Sequence, residues 1–143
     1  MSDVRAKVSR FLVVALMASS VVLASCATLF APPEERVGER ASARYAALIA
    51  GKYDVAYGFF TPAFRDAWTY REHLLMRPPV VTYSQAKLVS VKCETDDACT
   101  VGVDVVYRPV AGVRGVPNGL DISRFNEEKW IRVSGQWWLY QPE

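Results

Sequence analysis

The hydrophobic period of this chain changes once, from 3.6 to 2, across Arg77-Pro78-Pro79. That change restricts the fold to helices first and a sheet afterwards, because a 3.6 repeat lines one stripe of a helix and a repeat of 2 lines one face of a strand. Before the prolines, Val37, Ala41, Tyr45, Leu48 and Ile49 recur at helical spacing. They predict a helix over residues 34–50, opened by Pro33 with Glu34 and Glu35 at the positive end of the dipole and capped by Gly51. A short helix is expected over residues 53–60. Thr61-Pro62 then supplies an N-cap and a first-turn proline for a third helix, with Phe64, Ala67, Trp68, Arg71, Leu74 and Leu75 on one face.

After the prolines, residues 85–93, 99–107, 121–133 and 136–141 read as antiparallel strands, with a further short strand around 80–83. Pairing Cys93 with Cys99 across a five-residue polar loop puts Val91 opposite Val101 and Val89 opposite Val103. Opposed strand residues stand about 4.5–5.5 Å apart, within reach of a disulfide. The alternative is two buried free thiols. Val89, Val91, Val101, Val103, Val105 and Tyr107 then share the face that meets the helices, while Leu88, Ser90, Lys92, Gly102 and Asp104 share the other.

The closing hairpin, turned at Ser134-Gly135, is apolar on both sides: Ile131 and Trp138 on one, Trp130, Trp137 and Leu139 on the other with Arg132 beside Trp137. Either Arg124, Glu128, Lys129 and Arg132 cover the outer tryptophans, or Trp130, Arg132 and Trp137 form an interface, such as that of a homodimer. Residues 108–120, rich in Gly and Pro and carrying Arg114, form a long connection that is either a functional lid or simply mobile.

On the third helix, His73 lies nine residues beyond Phe64, about 900° on, and so opposite the apolar stripe. It is expected to be exposed and idle. Arg71 falls near the centre of the stripe, where it either lets its stem snorkel or points into a cavity to receive an anionic group.

The first 25 residues have a different character. Arg5, Lys7 and Arg10 precede a low-polarity run from Phe11 to Leu23 that is too short for the roughly 20 residues a spanning helix needs. Leu23-Ala24-Ser25-Cys26 then resembles the lipobox of bacterial lipoproteins. The resemblance implies cleavage before Cys26, acylation of that cysteine, and an envelope protein held on a membrane by its lipid chains. Ala27 in place of Asp implies the outer membrane, facing the periplasm. Domain limits follow at 1–25 for the signal, 26–33 for the lipidated tether and 34–143 for the domain.

With Cys26 taken, Cys93 and Cys99 remain as an even pair in an oxidising compartment. Of 17 basic and 15 acidic residues, three bases and one acid lie in the first 25, so the remainder carries 14 of each. A neutral domain gives no support to nucleic-acid binding.

Helices followed by antiparallel strands predict an α+β domain with its helices on one face of a curved sheet. Residues 44–57 (RYAALIAGKYDVAY), then Thr61-Pro62-Ala63-Phe64-Arg65, and the closing Gly135-Gln136-Trp137-Trp138-Leu139 resemble the NTF2-like superfamily. That resemblance implies a cone-shaped (cystatin-like) domain around a pocket, in a superfamily of isomerases, dehydratases, cyclases and binding proteins, among which fold alone cannot choose. Tyr45, Trp68, Arg71 and Tyr107 are the candidate lining.

Asp104 falls on the face opposite the valines. Asp66 and the tyrosines Tyr45, Tyr53, Tyr57 and Tyr107 are the remaining acid/base candidates, without a nucleophile elbow, a metal cluster or a phosphate loop. No catalytic residue, metal or cofactor is assigned. The expected function is a membrane-anchored, non-catalytic module for an apolar or anionic small ligand or an envelope protein. The alternatives are a structural subunit of an envelope complex without a pocket and, behind it, a ketosteroid isomerase- or cyclase-like enzyme.

Overall fold

The computed structural model describes residues 31–110 and 119–142. The chain divides into the units Met1–Pro32 and Pro33–Glu143, and the elements described below lie in the second. Cys26 and Arg114 lie outside the described residues. Helices α1 (Pro33–Ile49), α2 (Tyr53–Tyr57), α3 (Pro62–Ala67) and α4 (Tyr70–Met76) precede strands β1 (Val81–Thr95), β2 (Ala98–Pro109), β3 (Ile122–Val133) and β4 (Gln136–Leu139). The strands form one open antiparallel sheet in the order β1-β2-β3-β4. The fold is therefore α+β. Among the described residues no helix is long and apolar enough to cross a membrane.

Helix α1 ends where expected. Gly51 takes a φ of 70°, and its N–H reaches the Leu48 carbonyl while that of Lys52 reaches the Ala47 carbonyl, the two bonds of a Schellman stop. The chain thereby reverses into α2, and α1 lies across β1 and β2 with Val37, Ala41, Tyr45 and Leu48 buried.

The single third helix of the sequence reading is two helices. Trp68 is extended (φ −132°, ψ 110°), and Thr69 restarts the chain with a capping box in which Glu72 N–H donates to Thr69 Oγ1 and Thr69 N–H to Glu72 Oε2. The helical phase is lost at this break. His73 turns inward instead of standing opposite the apolar face, and Arg71 turns out to solvent.

In the sheet, Cys93 pairs with Cys99 in a disulfide and Val91 stands opposite Val101, as the valine register predicts. The register then shifts between Leu88 and Ser90, so that Leu88, not Val89, faces Val103. Val89 is 46% exposed, while Leu88 packs on the core. A bulge inserts one residue and exchanges the faces beyond it. The short strand at 80–83 continues through similar irregularities into β1.

The closing hairpin has its expected register, Val133 with Gln136 and Arg132 with Trp137, across a turn in which Ser134 and Gly135 both have positive φ. Its outer edge is covered: Leu139 donates to the Phe59 carbonyl, and Thr61 N–H to that of Leu139. This contact draws the hairpin onto the helices and seals Trp130, Trp137 and Leu139 into the core. Trp130 and Trp137 are 0% and 1% exposed, so the proposed interface of Trp130, Arg132 and Trp137 is corrected. Buried side chains cannot meet a second copy, and Arg132 is spent on Asp97 at 2.6 Å.

Candidate functional site

Because α1 stops at Gly51 and α4 ends at Arg77-Pro78-Pro79, the C-terminal half of α1, helices α2 and α4 and the start of β1 surround a cavity of about 210 Å³. Its walls are the rings of Tyr53, Tyr57, Phe60, Tyr70 and Tyr83. Three nitrogen-bearing side chains, Arg44, His73 and Arg77, join them, with no Asp or Glu among the described lining residues. Tyr57 is fixed by donating its hydroxyl to the Trp68 carbonyl, which ties α2 to the break between α3 and α4.

Beside Arg44 lies a buried polar network. Glu128 is on the helix-facing side of β3, opposite Val101. Its Oε1 receives Arg44 Nη1 at 2.6 Å and the Tyr45 hydroxyl at 2.8 Å, and its Oε2 receives Trp130 Nε1 at 3.2 Å. The Glu128 and Arg44 side chains are only 11% and 14% exposed, a burial tolerable because the charges are paired and hydrogen-bonded. Burial first, and then the Glu128 charge, raise the Tyr45 pKa, so the phenol remains a donor. Tyr83 packs edge-on against both Tyr45 and Tyr107, at 6.2 and 6.0 Å between centroids, and burial raises its pKa as well.

His73 packs against Tyr57, Phe60 and Phe64 with centroids 5.5, 5.3 and 5.8 Å away. Burial lowers its pKa, and the charges of Arg77 and Arg44 lower it further. The imidazole is neutral at pH 7.

The four candidate lining residues are not assembled in one place. Tyr45 and the half-buried Tyr107 are linked through Tyr83. Trp68, 41% exposed, instead borders a smaller groove of about 130 Å³ with Phe64, Met76 and Pro142, and this groove shares His73 and Arg77 with the larger cavity. Arg71 lines neither space. Sequence reasoning missed Arg44, Glu128, His73 and Tyr83. Two signals were present: the Thr69-x-x-Glu72 box that resets the phase of His73, and the even spacing that puts Glu128 on the same strand face as Trp130. Asp104 is exposed, and Arg108 pairs with Asp121 at 2.9 Å, joining the two ends of the 108–120 connection.

No family model and no curated protein matches the sequence. Among solved structures, the chain is similar to a SEC-C motif containing protein from Rhodopseudomonas palustris, with a TM-score of 0.52 and 20% identity over 70% of this chain and 71% of that one. The likeness is one of fold.

Proposed function

We propose that the chain is an outer-membrane lipoprotein, acylated at Cys26, whose domain is an NTF2-like cone acting as a non-catalytic binding module for a small, largely apolar ligand. The observation that carries this reading is the cavity of about 210 Å³ walled by five aromatic rings. Apolar cavities of about 150 Å³ stay dry and accept benzene, so this space suits a single ring or a short aliphatic chain. An open cavity also favours a binding module over a subunit with a filled core.

One observation favours a proton-transfer enzyme as the second reading: a neutral His73 faces the cavity near Tyr57. Against it, Glu128 accepts from three donors, one of them Arg44, which leaves that carboxylate committed rather than poised as a base.

Two experiments test the parts of the reading separately. Benzyl alcohol should perturb tyrosine resonances of the purified full chain saturably, and Leu74→Trp, a larger ring at a residue that lines the space, should abolish this while leaving far-UV dichroism intact. Non-saturable binding that persists in the filled variant would count against the cavity. Cys26→Ser should move the protein from the membrane to the soluble fraction, and a variant that still sediments with membranes rules out lipidation as the anchor.

A further inference from the structure

We infer that the cavity selects an anion: a small aromatic carboxylate with its ring between Tyr57, Phe60 and Tyr83 and its carboxylate on the guanidinium of Arg77. This inference rests on the binding reading above and adds the charge of the ligand to it.

The argument is one of unbalanced charge. Two arginines line the cavity, and they are not equivalent. Arg44 is buried and already neutralised by Glu128 at 2.6 Å. Arg77 is exposed at the end of α4, and among the described residues no carboxylate lies within ion-pair distance of it. The acid nearest in sequence, Glu72, is held by Thr69 at 2.8 Å from its backbone N–H and 2.6 Å from its hydroxyl. The cavity therefore keeps one uncompensated cation at its rim and offers no counter-charge of its own.

Position makes that cation useful. Arg77 N–H bonds the His73 carbonyl at 2.8 Å, so the base of its side chain is fixed at the helix terminus. The planar guanidinium can then meet a carboxylate through two parallel N–H donors, a geometry that an alcohol or amide cannot match. An amine would meet Arg77 as a like charge. An apolar interior with a single cation at its mouth thus recognises an amphipathic acid by both ends.

The test uses the purified full chain with benzoate, benzyl alcohol and benzylamine as probes, titrated by calorimetry and NMR at low salt. Benzoate should bind about tenfold more tightly than benzyl alcohol, as expected for a charge-assisted pair at a partly screened rim, and benzylamine least well. Arg77→Gln should reduce benzoate to the level of the alcohol. Arg71→Gln, which removes an exposed charge from the same helix without touching the cavity, should leave the preference intact. Equal binding of benzoate and benzyl alcohol overturns the anion inference and spares the cavity reading; saturable binding of neither overturns both. A preference lost equally in Arg71→Gln and Arg77→Gln would show general surface attraction and overturn the assignment to Arg77.

Discussion

Strands β2 and β3 lie side by side and present their helix-facing residues in register, yet they offer the helices opposite chemistry. Val101 stands opposite Glu128, Val103 opposite Asn126 and Val105 opposite Arg124. The β2 row is buried without a polar side chain. The β3 row is polar from Arg124 to Glu128 and apolar at its two ends, where Ile122 meets Tyr107 and Trp130 meets Cys99. One sheet face thus serves as core on one strand and as the seat of a polar network on the next. The hydrophobic effect stabilises the first row wherever α1 covers it. The second row has to be satisfied bond by bond, and Arg44 and Tyr45 of α1 supply the partners for Glu128.

The largest loss should come where the two regimes meet. Trp130 is fully buried and also donates to Glu128. Trp130→Ala should cost about 3–5 kcal/mol, the range for truncating a large buried aromatic. Urea unfolding would measure it, and a loss under about 1 kcal/mol would mean that the hairpin is not sealed against the helices.

The next test compares the facing pair directly. Glu128→Ala strips Arg44 of its counter-charge in a site that is mostly buried and should cost about 3 kcal/mol. Val101→Ala should cost about 2 kcal/mol in lost methyl burial and cavity formation. The sharper comparison is Arg44→Met with Glu128→Leu, which should lie closer to the parent than either single change, because apolar replacements of a buried ion pair need no counter-charge. A double variant as unstable as the sum of its singles would show that the pair is not a coupled unit.

These two strands also show how far the fold could be read from the chain. The β2 row was legible because Cys99, Val101, Val103 and Val105 alternate without interruption and the cysteines pin the register. Val89 was misplaced because residues 88 and 89 are both apolar, and a bulge there leaves no mark on the pattern. In the last hairpin the pairing was legible but the buried side was not. Both faces carry tryptophan, and the choice is made by the backbone of residues 59–61 on the edge of β4, a contact between segments some 80 residues apart.

Glu128 was read as a surface charge for a related reason, since the face it shares with Trp130 turned out to be the inner one. His73 failed differently. A helical period carried through Trp68, where the chain is extended, gives His73 the wrong phase, although the capping box just beyond marks the break.

The smallest expected effect bears on the helical side of the comparison, where the titrating group is His73. Its folded-state pKa lies below the unfolded value of about 6.5 because of burial and, after that, the nearby Arg77 and Arg44 charges. Between the two values the unfolded chain binds the extra proton and the native chain does not, so stability falls as pH falls. The contribution is whole above about pH 6.5 and is lost progressively below it, down to the depressed native pKa. Melting temperatures of the parent and of His73→Gln should therefore run parallel from pH 8 to 7 and diverge below 6.5, with the parent falling faster. Because the carboxylates titrate in both proteins, the difference between the curves isolates the imidazole. If the curves stay parallel to pH 5, His73 is not held among uncharged rings beside two cations, and the cavity wall it forms must be open to water.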